Sequence, residues 1–227
     1  MDVAALFSGG KDSTYATYLA QQKGWTVKYL VSVVPSEDSL LFHVPNTHLT
    51  KLHSETLGIP LKQAEVSGEP EEELAILKGV LGDLDVEGLM TGAIASDFQW
   101  SRFNRICEEI GIKCYSPVWR KDQMRVMEDI VQAGFEIIIV GVSAEGLDES
   151  WLGRHIDDVC LRDLERLKEE KGINPSGEGG EYETLVLNGP NFLKRLEIRD
   201  SRKDWDGKRG VLVVEKAELL DVPMVAC

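Results

Sequence analysis

The chain of 227 residues carries 39 acidic against 25 basic side chains, a formal net charge of −14. A surface this acidic repels a phosphate backbone, so extensive nucleic-acid binding is disfavoured, and no apolar run is long enough to span a membrane. The N-terminus runs straight into a charged, glycine-rich stretch, which argues against a signal peptide. The four cysteines, Cys107, Cys114, Cys160 and Cys227, form no C-x-x-C pair. A zinc knuckle is therefore not expected, and reduced thiols in a cytoplasmic protein are the simplest account.

In chain order, β-like runs at 3–7, 26–34, 61–66, 88–91 and 113–116 alternate with helical patterns at 13–23, 47–57, 70–81 and 100–110. Gly24, Gly58, Gly82 and Gly111 fall near the helix ends, where glycine commonly terminates a helix. This rhythm predicts an α/β fold with a doubly wound, mostly parallel sheet. From about residue 121 the pattern changes. A helix at 121–133 precedes the apolar run 136–142 and a helix at 157–170, followed by β-like runs at 184–187, 196–199 and 211–215. The last two read as a hairpin with a long connection across the turn-rich 200–210. The expected division is a first domain over 1–120 and a smaller α+β domain over 121–227. Glutamate-rich stretches such as 70–73 and 163–171 read as solvated helix faces.

Between the first strand and the first helix stands LFSGGKDST. Gly9 and Gly10 let the backbone N–H groups approach a ligand closely, Ser8 and Ser13 add hydroxyls, and the following helix turns its positive end toward the same place. That geometry suits a phosphate. The Walker A pattern fails here: Ala5 stands where its first glycine belongs, and Asp12 follows Lys11 where a Ser or Thr is required. In a doubly wound sheet, ligands sit beyond the carboxyl ends of the strands where the strand order reverses. Thr91, Gly92, Ala93 and Ile94, at the end of the fourth strand, are expected on the same rim, although taken alone they read equally as a glycine-containing βα turn.

Two further stretches concentrate chemistry. NPSGEGGEYETL, residues 174–185, sets Glu178, Glu181, Tyr182 and Glu183 among three glycines. SAEGLDESWLGR, residues 143–154, offers Glu145, Asp148, Trp151 and Arg154. Taken alone, the first reads equally as a linker and the second as a helix cap, with Trp151 as core packing.

The SGGKDS loop resembles that of the PP-loop ATP pyrophosphatases, of the adenine nucleotide alpha hydrolase-like fold. LFSGGKDS, TGAIASDFQWSR, EGLDESWLGR and GEGGEYETLVLNGP together resemble the motifs of the diphthine-ammonia ligase family in its short archaeal form. The similarity runs over nearly the whole chain. It implies an ATP-dependent ligase that amidates diphthine on elongation factor 2, passing through an acyl-adenylate and releasing AMP and pyrophosphate. Seven residues precede Ser8, leaving no place for an upstream glutaminase domain, so free ammonium is the expected nitrogen source. Two alternatives stay open: another PP-loop pyrophosphatase, acting on a small molecule or on RNA, and an ATP-binding regulator without turnover.

The resemblance also implies residue roles. Ser8, Gly9, Gly10, Lys11 and Ser13 would hold the phosphates, Asp12 would place Mg2+, and Lys11 and Asp12 would be catalytic, both facing solvent and ligand. Adenosine would lie near Val33, Thr91, Gly92 and Ala93, and His43 is a further candidate contact. For the acceptor, Glu178, Glu181 and Glu183 would attract the trimethylammonium group, with Tyr182 or Trp151 offering a ring face. Arg102 or Arg154 would pair with a carboxylate. Association into a homo-oligomer is left open by the sequence.

Overall fold

The computed structural model describes residues 1–35, 46–66 and 70–222; His43 and Cys227 lie outside the described residues. The chain divides into two compact units, one of Met1–Thr50 with Ile59–Asp122, the other of Lys51–Gly58 with Gln123–Cys227.

The first unit is built on β1 (Asp2–Leu6), α1 (Lys11–Gln22) and β2 (Thr26–Pro35), a single 3-10 turn at Thr47–Leu49, and then, after α2 (Thr50–Leu57), β3 (Leu61–Val66), α3 (Pro70–Gly82), β4 (Gly88–Met90), α4 (Asp97–Ile110) and β5 (Lys113–Tyr115). The five strands are all parallel, in the order β3-β2-β1-β4-β5. From β1 the chain winds outward to β2, and from β4 it winds outward the other way to β5. The order therefore reverses between β1 and β4, which is where such sheets bind ligands.

A strand covered on both faces reads as a continuous apolar run, and the buried centre of β1, Val3 to Ala5, follows that rule. One face of the sheet packs Ala4, Val31, Val33 and Leu89 against Leu74, Leu77 and Leu81 of α3 and Phe103, Ile106 and Cys107 of α4. No α1 residue joins that cluster, and α1 lies against β1, β2 and β4; it covers the opposite face, as double winding requires.

Three details depart from expectation. Helix α4 starts at Asp97, ahead of the expected residue 100, because the Ser96 hydroxyl caps it by accepting from Gln99 N at 3.3 Å. Helix α1 starts at Lys11, two residues earlier than the apolar spacing predicts. Glu71 and Glu72 are exposed, but Glu73 is fully buried, because it stands four residues before Leu77 on the face that α3 turns inward.

The second unit contains α5 (Gln123–Gln132), β6 (Glu136–Val142), a 3-10 turn at Glu149–Trp151, α6 (Asp158–Lys171), β7 (Tyr182–Asn188), β8 (Lys194–Trp205) and β9 (Gly210–Asp221). Its sheet is antiparallel, in the order β7-β6-β9-β8. The expected long connection in the last hairpin is a short one: β8 runs on to Trp205, and the turn is confined to residues 206–209. Residues 200–204 are polar because they are exposed on both faces, with cross-strand pairs such as Arg202 to Glu215 at 3.1 Å. Asp206 closes the turn, its carboxylate accepting from Lys208 N and Arg209 N, each at 2.8 Å. These bonds hold its pKa below the usual value, the Arg209 bond contributing most.

Helix α2 belongs to this second unit except for Thr50. His53 is fully buried; its Nε2 donates to Val186 O at 2.7 Å and its ring meets Phe192 edge-on at 6.2 Å. Leu193 N donates to Thr56 O at 2.6 Å. Without the imidazole the buried Val186 carbonyl is left unmatched, which costs about 1–3 kcal/mol. His53→Ala is therefore expected to lower stability by about that amount in chemical denaturation.

Candidate functional site

After Leu6, Phe7 N still donates to Val31 O at 2.8 Å, and the chain then leaves the sheet. Gly9 takes φ 82°, a left-handed conformation open to glycine at little cost. Gly10 is the N-cap of α1 in an extended conformation and, as a glycine, brings no side-chain cap of its own. The first helical bond is Thr14 N to Gly10 O at 3.1 Å. The N–H groups of Lys11, Asp12 and Ser13 come before it, at the positive end of the helix dipole.

The loop is held by its own hydroxyls. Ser13 Oγ accepts from Ser8 N at 3.2 Å, lies 3.2 Å from Ser8 Oγ and donates to Gly10 O at 3.1 Å. Gly10 N donates to Ser8 Oγ at 3.3 Å, and Thr14 Oγ1 donates to Gly10 O at 2.8 Å. The two serines thus fix the turn as well as facing it.

Lys11 is not the solvent-facing side chain expected. Only 3% of it is exposed, and its Nζ is 2.8 Å from Asp12 Oδ2. As the first residue of α1 it has its stem enclosed by the fold, and its ammonium charge is balanced by the neighbouring carboxylate.

The other wall comes from the end of β4. A Cβ built on Gly92 would lie 2.6 Å from the backbone carbon of Asp12 and 2.7 Å from Ser13 N, so the chain crosses directly over the first turn of α1. Thr91 is buried, with its Oγ1 2.7 Å from Ser116 Oγ; Ala93 is buried too. Val33 has its side chain in the hydrophobic core, which leaves its backbone as the part available to a nucleotide. The structure thus brings Gly92 against the SGGKDS turn and adds Ser116, whose place at the end of β5 was its only signal in the sequence.

In the second unit, the two motif stretches meet beyond the end of β6. Ser143 N donates to Glu181 O at 2.9 Å, and Ser143 Oγ donates to Gly180 O. The glycine-glutamate stretch is a closed loop. The Glu181 carboxylate accepts from Asn174 N at 2.9 Å, Asn174 Nδ2 at 2.6 Å and Gly179 N at 2.8 Å. Tyr182 is buried and donates its hydroxyl to Pro175 O at 2.5 Å. Ser176 Oγ donates to Gln123 Oε1 at 2.7 Å, tying the loop to α5. Glu181 and Tyr182 are thus engaged in folding the loop, while Glu178 and Glu183 are half-buried. Asn174 and Gln123 complete the loop; neither stood out in the sequence.

Trp151 and Arg154 sit together on the strip antiparallel to β6, where Gly153 N donates to Ile139 O and Ile139 N to Arg154 O. Trp151 is buried. The Arg154 guanidinium lies 4.4 Å from its ring centre and donates to Asp163 at 2.5 Å. That bond to Arg154 holds the Asp163 carboxyl below its usual pKa. Arg102 is in the first unit, on α4.

A parallel sheet with its order reversing at a glycine turn, and a helix N-terminus backed by a second loop, define a doubly wound α/β protein. Residues 1–114 match the family model described as Diphthamide synthase N-terminal domain, and residues 122–220 that described as Diphthamide synthase C-terminal domain. Over 225 residues the chain is 31% identical to the diphthine--ammonia ligase of Bos taurus, covering 88% of this chain and 84% of that one. Over 221 residues it is 32% identical to the diphthine--ammonia ligase of Schizosaccharomyces pombe, covering 88% of this chain and 36% of that one. A solved chain described as a predicted subunit of tRNA methyltransferase from Methanocaldococcus jannaschii is 18% identical, covering 84% of this chain and 98% of that one, with a TM-score of 0.46. The chain belongs to the diphthamide synthase family, and so to the ligases that join carbon to nitrogen.

Gly92→Ala is expected to cost about 1–3 kcal/mol of stability, because the methyl group must displace backbone; calorimetric unfolding reads it. Glu181→Gln presents an amide where three N–H donors converge. Limited proteolysis should then cut within residues 174–181, where the parent chain resists.

Proposed function

We propose that the chain amidates diphthine on elongation factor 2 with ammonium, at the expense of ATP. The observation that carries this reading is the first turn of α1: the positive end of the helix dipole at a glycine N-cap, Gly9 in a left-handed turn and Lys11 at the same point. Membership of the diphthamide synthase family supports the acceptor.

In this reading the acceptor carboxylate attacks the α-phosphate and pyrophosphate leaves. Ammonia then adds to the acyl carbon and AMP departs. A carboxylate acylates poorly because oxide is a bad leaving group; joining it to AMP removes that obstacle. The protein's work is to hold two anions in line and to balance the charge that develops.

The N–H groups of the α1 turn, with the Ser8 and Ser13 hydroxyls, receive the β- and γ-phosphates. The Lys11 ammonium exchanges Asp12 for phosphate oxygens, and so moves positive charge to the departing pyrophosphate. The backbone at Val33 and at Thr91 to Ala93 borders the nucleoside. Among the described residues no group of three or more His, Cys, Asp or Glu side chains could hold a metal. The loop offers one carboxylate, Asp12, and that fits Mg2+, which commonly takes one or two protein carboxylates and completes its shell with phosphates and water. Asp12 would hold it, and when bound it would neutralise phosphate oxygens.

For the acceptor, Glu178 and Glu183 supply negative charge toward the trimethylammonium group, and Glu181 keeps their loop closed. Trp151 and Arg154, already packed on each other, hold the neighbouring strip in place.

ATP labelled in the α-phosphate is expected to give labelled AMP in step with amidation; labelled ADP would contradict the reading. Lys11→Met keeps the enclosed stem and removes the charge. It should lower the amidation rate about 100- to 1000-fold, with the circular dichroism spectrum unchanged.

A further inference from the structure

The first unit has a second concave feature, a groove of about 410 Å3 between α3 and α4, whose lining includes none of the residues of the glycine loop or the β4 turn. Its floor is apolar, formed by Leu74 and Ile106, which also belong to the core. Three cations and two carboxylates line it. Glu109 is held by Lys78 at 2.7 Å and Arg105 at 2.9 Å, and the Lys78 bond is the larger cause of its lowered pKa.

Arg102 is different. It makes no ion pair among the described residues. Its guanidinium lies 3.4 Å from the centre of the Phe98 ring, its Nη1 donates to Phe98 O at 3.4 Å, and its buried Nε has no hydrogen-bond partner among the described residues. A half-buried guanidinium with an unmatched N–H costs stability unless something else satisfies it.

The same stretch of α4 shows Phe98 and Trp100, 48% and 37% exposed. They are the exposed large hydrophobic residues of the first unit among the described residues. Trp100 stacks on Trp119, ring centres 5.4 Å apart and planes 14° apart. Arginine and exposed aromatic rings beside a cleft make up the composition that dominates protein-binding energy at interfaces.

We propose that this face of α4 docks the protein acceptor, with a carboxylate of an acidic segment seated on Arg102. The inference rests on the amide-ligase reading. A monoanion suits the groove because its charges leave one excess positive charge, whereas a phosphate dianion would meet Glu71 and Glu109. A carboxylate also matches the planar fork of the guanidinium. The aromatic rings extend the surface beyond the groove, as a protein and not a small molecule requires. Helix α4 springs from the loop that carries Thr91 to Ala93, so a protein bound along its first turns lies at the rim of the sheet where the nucleotide is proposed to bind.

The test is binding of diphthine-bearing elongation factor 2 to the full chain by biolayer interferometry, with ATP affinity measured in parallel by calorimetry. Arg102→Gln and, independently, Phe98→Ser should each weaken acceptor binding about 10-fold or more while ATP affinity stays the same. Parent-like acceptor binding in both variants, with amidation by the parent chain intact, overturns the docking surface alone. Failure of the parent chain to bind or amidate the acceptor overturns the ligase reading along with it. Competition by single-stranded RNA for the same face, lost in Arg102→Gln, would assign the groove to a nucleic acid and also overturn the proposal.

Discussion

The absence of a side chain at Gly92 sets how closely the β4 turn can approach α1. With any Cβ there, the turn would stand off from the backbone of Asp12 and Ser13, and the wall behind the SGGKDS loop would open. The loop's internal bonds among Ser8, Gly10, Ser13 and Thr14 fix its shape, but the second loop fixes where that shape faces. The reversal of strand order between β1 and β4 matters for the same reason: it makes these two loops neighbours and sends their helices to opposite faces of the sheet.

The second unit shows the opposite use of charge. In the glycine-glutamate stretch the densest set of carboxylates includes one, Glu181, whose oxygens are occupied by N–H donors of its own loop. A carboxylate used this way replaces the regular hydrogen bonds that a glycine-rich loop lacks. Tyr182 and Ser176 tie the ends of the same loop to Pro175 and Gln123. The rigidity of the stretch therefore comes from side chain to backbone bonds, and its glycines are places where the chain must turn tightly.

Much of this could be read in the sequence, for identifiable reasons. The central strands β1 and β4 were visible because strands buried on both faces are apolar, and the α1 turn because its glycines, lysine and hydroxyls are adjacent in sequence. Polar side chains misled in two opposite ways. The polar run 200–204 read as a turn although it forms an exposed strand, and Glu73 read as solvated although its place on α3 buries it. The start of α4 turned on one capping hydroxyl, Ser96. What stayed hidden depends on contacts distant in sequence: Gln123 with Ser176, Thr91 with Ser116, and the enclosure of Lys11, whose charge suggested exposure until the packing around α1 was known. The roles of Glu181 and Tyr182 were hidden for the same reason, since composition marks a residue as polar or aromatic but does not say what it touches.

Helix α2 carries a consequence for how the protein is made. Its residues are translated in the midst of the first unit's strands, yet His53 bonds to Val186, 133 residues later, and Thr56 to Leu193. On the ribosome, the helix emerges long before the strand it packs against, so the burial of His53 must wait for nearly the whole chain. Neither half of the polypeptide, cut at the junction near residue 122, contains a complete second unit. The two halves are consecutive as stretches of sequence, but the completed second unit draws on both, which couples the last stages of its folding to a segment delivered near the beginning.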